Sequence, residues 1–244
     1  MKVAIHQPHF LPWLGYLDRM AQADVFVLLD HVQFERRNYQ NRTMIRLNEE
    51  GRWLTVPVVQ NSQKERIVDK RIDNRLDGSK WWSTNHFATL RHAYRDAPHF
   101  ETYAARFKQL FETQWQRLVD INQAGLDILR EAYGITTPLV RSSELNVEGA
   151  RAELIFNVCK ALGADTLIAG FGGSRGYLDL DAFARGGVRV SFHEFVHPEY
   201  PQRVAGKKAA PFLPGLSAID LLFNCGPQSR DWLFHERAPR KRAA

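Results

Sequence analysis

With 244 residues, 44% of them hydrophobic and 25% charged, the chain has the composition of an ordinary globular protein and enough length to bury a sizeable core. No apolar run approaches a membrane span, and no basic segment precedes an apolar signal core, so the expected location is the cytoplasm. The net charge of +6 does not indicate a nucleic-acid partner: Arg237, Arg240, Lys241 and Arg242 fall in a basic tail, 237–244, and the mildly basic remainder suits small anions such as phosphates.

An apolar strand, Val3 to Ile5, runs into His6-Gln7-Pro8-His9 and a Pro-Trp-x-Gly-Tyr turn, then a helix, then a second apolar strand ending in Asp30. A strand that stops at a polar turn and restarts as a helix is how an α/β sheet builds a ligand crevice at its carboxyl edge. Pro8, Pro12 and Gly15 also suit a plain sharp corner, but His6, Gln7 and His9 add nothing to one. Thr43 to Leu47 and Trp53 to Val59 read as a hairpin around Asn48-Glu49-Glu50-Gly51, whose glycine suits a tight turn. Gln60 to Ser79 reads as irregular surface chain. Trp81 to Tyr133 carries aromatic and aliphatic residues at helical spacing, giving two or three helices divided at Pro98 and closed by Gly134.

Strand and helix then alternate. Thr137 to Val140, Thr166 to Ala169 and Val188 to Phe192 read as strands; Val147 to Leu162, Leu180 to Arg185 and Leu216 to Phe223 read as helices. This order predicts an α/β fold, a Rossmann-like three-layer domain with a mostly parallel sheet plus a hairpin and a helical insert. One domain is expected over 1–244, with the hairpin and loop region at 43–79 and the helical insert at 80–134.

Several clusters carry candidate chemistry. Gly170 to Asp179 follows a strand; its glycines, Ser174 and Arg175 form a candidate anion cradle, although it is neither a Walker loop nor a dinucleotide fingerprint. Asp30 and Gln33, with Asn41 and Arg42 soon after, suit a polar substrate with ammonium or hydroxyl groups; alternatively Asp30 caps local backbone N–H groups. Tyr200 and Gln202, in a proline-stiffened loop, are candidates to line the crevice, and His197 to titrate near neutral pH. Cys159 and Cys225 fit no zinc spacing and read as packed thiols rather than nucleophiles, and His6-x-x-His9 has no third ligand to make a metal site.

Taken together, Gln7-Pro8 with Pro12-Trp13-x-Gly15-Tyr16, Asp30-x-Val-Gln33-Phe, Asn41-Arg42, Trp53-Leu-Thr-Val-Pro57, Tyr177-Leu-Asp179, Tyr200-Pro-Gln202 and the Leu216 to Asn224 block resemble the WbqC-like family across nearly the whole chain. The loop before Tyr177 departs from the family pattern, with Phe171-Gly172 in place of a Gly-Pro pair. The resemblance implies a cytoplasmic enzyme encoded among surface-polysaccharide or specialised-metabolite genes, attaching acyl or aminoacyl groups to amines. The opening turn is also similar to that of HIGH-motif nucleotidyltransferases, with Trp13 and Tyr16 where that motif has histidines. A neutral phenol cannot supply imidazolium charge to a phosphoryl transition state.

The leading expectation is therefore a transferase forming an amide between a thioester-type donor and an amine on a sugar or small metabolite. His6 or His9 would be the base, Gln7, Asn41 and Tyr177 oxyanion donors, Ser174 and Arg175 the holders of a phosphopantetheine or coenzyme A phosphate, and Asp30 or Asp179 the group orienting the amine. Trp13, Tyr16, Gln33, Arg42, Tyr200 and Gln202 complete the expected substrate surface. An acidic acyl or peptidyl carrier protein is a candidate partner. The alternatives are a nucleotide-dependent enzyme with magnesium on Asp30 or Asp179, and a non-catalytic module binding a sugar nucleotide or carrier.

Overall fold

Five parallel strands with helices on both faces form the frame in the computed structural model, which describes residues 1–62, 64–75, 81–171, 176, 178–206 and 211–234. In chain order the sheet strands are β1 (Lys2–His6), β2 (Val25–Leu28), β5 (Leu139–Arg141), β6 (Thr166–Gly170) and β7 (Arg189–His193), arranged β5-β2-β1-β6-β7. The inner strands are continuous apolar runs because a parallel sheet covered on both faces gives neither side chain of an alternating pair access to water. The fold is Rossmann-like. A separate antiparallel ribbon, β3 (Arg42–Leu47) and β4 (Glu50–Thr55), turns through Asn48 and Glu49.

Two cores lie on opposite sides of the sheet. On one side Ala4, Phe26, Leu28 and Ile168 pack against α1 (Leu14–Ala21) and the helices α2 (Trp82–Tyr94), α3 (Phe100–Glu112), α4 (Leu118–Ala132), α7 (Ala218–Cys225) and α8 (Ser229–Phe234). On the other, Val3, Ile5, Val27, Leu167 and Ala169 meet α5 (Arg151–Ala161) and Phe183 of α6 (Leu180–Arg185). Every residue of α7 is buried. Its start is sewn to the opening turn, since Ser217 Oγ donates to the carbonyl of Leu11 at 2.7 Å and Ala218 N to that of Pro12 at 2.8 Å.

Several expected boundaries shift for local reasons. The left-handed residue of the hairpin turn is Asn48 (φ 58°), while Gly51 pairs with Arg46 inside β4. The helix expected from Val147 starts at Arg151, because Gly149 at φ 121° cannot be helical. Pro138 cannot donate to the sheet, so the strand expected from Thr137 begins at Leu139 and accepts Phe26 N through the Pro138 carbonyl. The tail 235–244 lies outside the described residues.

Candidate functional site

Successive strands run outward from β1 to β2 and β5; the chain then returns to add β6 and β7 on the other side of β1. The boundary between β1 and β6 is the point where strand order reverses, and ligands of such sheets bind outside the carboxyl ends of the strands there. β1 ends in His6, and the register pairing Ala4 with Ile168 brings His6 opposite Gly170, which in turn pairs with His193. Side chains in register on neighbouring strands share a face, so His6 and His193 stand on the α1 side of the sheet, two strand spacings or about 10 Å apart. Between them Gly170 leaves a slot that Arg19 of α1 fills: a Cβ on Gly170 would fall 2.5 Å from Arg19 Nη1. These residues border a cleft of about 710 Å³ that also includes Gln7, Trp13, Tyr16 and Glu35.

The turn that closes this cleft explains its own sequence. Trp13 lies across the first turn of α1, and a Cβ on Gly15 would sit 2.2 Å from the indole, so the Trp-x-Gly spacing is a packing requirement. The indole meets Phe195 edge-on at 5.5 Å, giving the cleft an aromatic wall. Tyr16 is buried against Phe26 and donates to the carbonyl of Gln7 at 3.4 Å; burial raises the pKa of its phenol, which stays protonated.

Polar groups at the cleft are oriented by the backbone and by one another. His6 Nδ1 lies 3.0 Å from the carbonyl of Gln7, which can only accept, so Nδ1 carries a proton and, in the neutral ring, Nε2 carries the lone pair. Gln7 Oε1 accepts from Gln40 Nε2 at 2.9 Å, leaving its own Nε2 without a hydrogen bond among the described residues. His193 Nε2 donates to Asp18 Oδ2 at 2.5 Å, with both side chains 6% exposed. Asp18 Oδ2 also accepts from Gln22 Nε2 at 2.7 Å, an arrangement that fixes the His193 ring.

His9 sits behind this front rank. Its ring packs edge-on to His6 at 4.4 Å and stacks on Tyr39 at 5.5 Å. Burial lowers its pKa to about 3, so it is neutral at physiological pH and a weak base, and its Nδ1 has no partner among the described residues. Of the two histidines considered for the base, His6 borders the cleft and His9 does not.

The structure separates other residues from this cleft. Asp30 is fully buried and accepts from Ser142 Oγ, Ser143 N and Ser143 Oγ at 2.8–3.1 Å, so it ties β2 to the end of β5 and has no room to orient an amine. Asp179 caps α6, accepting from Ala182 N at 2.9 Å. Tyr200 and Gln202, expected to line the crevice, instead donate to the buried carboxylate of Asp220 in α7 at 2.8 and 2.9 Å. His197 uses both ring nitrogens, donating to the Pro198 carbonyl and accepting from Gly215 N, and burial lowers its pKa, so it is not poised to titrate near neutrality. Gln33 borders a different hollow with Asn61 and Lys70, and Asn41 and Arg42 border a third beside the hairpin. Ser174, Arg175 and Tyr177 lie outside the described residues. Burial pushes the Cys159 thiol to about 12 and Cys225 to about 11, consistent with packed thiols.

Asp18, Arg19, Glu35 and His193 belong to the site although no motif singled them out. The signal for α1 was two adjacent charges, Asp18-Arg19, one turn after Gly15 and Tyr16 in a helix whose residues Leu14 to Met20 are all buried. The signal for His193 was its place at the carboxyl end of a strand, one residue beyond the expected boundary.

The sequence matches the WbqC-like protein family over residues 7–232. It is 31% identical over 234 residues to the uncharacterized protein Rv1507c of Mycobacterium tuberculosis (strain ATCC 25618 / H37Rv), covering 95% of this chain and 97% of that protein. No solved structure matches the chain. No helix among the described residues is long and apolar enough to cross a membrane. The family match spans the opening turn from Gln7 onward, the strand that carries His193 and the helix that anchors that ring; the chain belongs to the WbqC-like protein family.

Proposed function

We propose that the sheet-edge cleft transfers an acyl or aminoacyl group from a thioester-type donor to the amine of a sugar or small metabolite. The observation that carries this reading is the orientation of His6, whose Nδ1–H is held by the Gln7 carbonyl so that the Nε2 lone pair remains for a proton. An incoming ammonium group would pair with Glu35 and lose one proton to His6 Nε2. The freed amine attacks the thioester carbonyl, forming the C–N bond, while Gln7 Nε2 donates to the developing oxyanion. Collapse breaks the C–S bond, the second nitrogen-bound proton passes to the departing sulfur, and His6 releases its proton to solvent. Arg19 supplies a cation for an anionic part of either substrate, and the Asp18–His193 pair sets the field beside it.

This direct transfer needs no protein nucleophile, in keeping with the buried, weakly acidic thiols of Cys159 and Cys225. The nucleotide-dependent alternative is less well supported, because its candidate magnesium carboxylates, Asp30 and Asp179, are already engaged by backbone and serine donors away from the cleft. The test is a panel of acetyl and glycyl thioesters of coenzyme A and of pantetheine with amino sugars, read by mass spectrometry for the amide. An amide formed by the wild type and lost in His6→Gln is expected. No amide from any pair, together with nucleotide turnover in the presence of magnesium, would favour the nucleotidyl reading instead.

A further inference from the structure

A second concave site lies on the far side of the segment that borders the cleft. Residues Glu35 and Asn38 face the cleft, whereas Arg36, Arg37, Asn41 and Arg42 face a pocket of about 340 Å³ completed by Thr55 and Pro57 of the hairpin. No acidic side chain among the described residues borders it. Three arginines converging on one concavity would repel one another, so they favour a bound anion.

Two of the polar groups there are both fixed and unspent. The Arg42 guanidinium lies 4.0 Å over the Trp53 ring and donates through Nη2 to the carbonyl of Arg37, so its plane cannot turn away. Its Nε is nevertheless buried without a partner among the described residues. Asn41 is 7% exposed, and its Nδ2 donates to the Val56 carbonyl at 2.9 Å while its Oδ1 is buried with no donor among the described residues. Buried polar atoms are almost always paired, so an orphan donor and an orphan acceptor on consecutive residues that border one pocket favour a ligand that supplies both complements.

We propose that this pocket binds a phosphate ester bearing a hydroxyl or amide N–H close to the phosphate. The phosphate oxygens accept from Arg42 Nε and pair with the exposed guanidinium groups of Arg36 and Arg37; the neighbouring donor satisfies Asn41 Oδ1. Two ligands share this chemistry: a phosphopantetheine arm, where a hydroxyl and amides follow the phosphate, and a sugar nucleotide, where hydroxyls flank the diphosphate. The segment between the pocket and the cleft is tied to the cleft residues, since Gln40, one residue before Asn41, donates to Gln7 Oε1 and Tyr39 stacks on His9. The inference deepens the transfer reading by assigning a place to the phosphate-bearing part of a substrate.

Calorimetric titration with coenzyme A, an amino-sugar nucleotide and inorganic phosphate tests it without requiring turnover. At least one ester should bind the wild type more tightly than inorganic phosphate, and R36Q/R37Q, which alters only exposed side chains, should weaken it about tenfold. Arg42→Lys, which keeps the charge but loses the planar fork, should weaken it as well. Preference for coenzyme A would identify the pantetheine source, and preference for the nucleotide the sugar source. Absence of binding by all three probes, equal affinity of wild type and R36Q/R37Q, or inorganic phosphate binding as tightly as the esters would each overturn the proposal. The two readings fail separately: amide formation that needs His6 but ignores Arg36 and Arg37 removes only this site, whereas arginine-dependent binding with no amide product removes only the transfer reaction.

Discussion

Two buried carboxylates, Asp18 and Asp220, organise polar clusters on the same side of the sheet, and they do so in opposite ways. Asp220 receives the hydroxyls of Tyr94 and Tyr200 and the Nε2 of Gln202 at 2.8–2.9 Å. Its partners are used again: Tyr94 OH accepts from Arg46 N, and Gln202 Oε1 accepts from Arg46 Nη1 and Leu213 N. Apart from Arg46 Nη2, which has no partner among the described residues, these groups satisfy one another and pin the segment after β7 to α7 and β3. Asp18 accepts from Gln22 Nε2 and holds the ring of His193, whose other nitrogen has no hydrogen bond among the described residues and stands in a cleft with His6 and Arg19. A closed network specifies packing, whereas an open one leaves donors and acceptors for a ligand.

The largest expected effect separates these roles by pH. Burial raises the pKa of Asp220 from 3.8 to about 6, against the pull of its hydrogen bonds. Its folded state holds the proton more tightly than the unfolded chain, so this residue's contribution is fully present below pH 3.8 and is lost as pH rises through 6. The loss is about 3 kcal/mol by linkage. His9 runs the other way: its pKa falls from 6.5 to about 3, so its contribution is present above 6.5 and lost as pH drops toward 3. Denaturant melts of wild type and Asp220→Asn over this range cancel the His9 part. The difference between the two curves should slope through pH 4–6, and parallel curves would show that Asp220 does not titrate there.

A smaller effect is expected where Arg19 meets Gly170. Gly170→Ala places a Cβ against the tip of a flexible side chain, so the melting temperature should hold within a few degrees while Arg19 is displaced. Affinity of the thioester panel should fall about tenfold, the scale of one charge-assisted contact. A variant that melts far lower with unchanged affinity would make Arg19 a packing residue. Tyr16→Phe should do least. The lost bond to Gln7 is 3.4 Å long, so less than about 1 kcal/mol of stability and a few-fold change in affinity are expected by calorimetry.

The fold was legible because its strands are apolar runs set between helices, a pattern that burial on both faces imposes. The cleft was half legible. His6, Gln7, Trp13 and Tyr16 follow one strand within a few residues, and proximity along the chain carried them to one place. Asp18 and Arg19 escaped notice because charges on a helix ordinarily mark its solvated face, and only the covering by neighbouring elements makes them buried. Tyr200 and Gln202 misled for the converse reason. A polar, aromatic loop after a strand reads the same whether it opens onto a crevice or is shut by a carboxylate from α7, and Asp220 is distant enough in sequence that nothing local reveals it.

The central claim, that His6 serves as the base at an open cleft, is tested most directly by comparing wild type with His6→Gln for both binding and amide formation from the same thioester and amino sugar. The expected result is product from the wild type and a loss of at least about hundredfold in the variant, the scale of a positioned general base, with binding and melting temperature retained. Undiminished product from His6→Gln would contradict the claim and move the chemistry away from the end of β1.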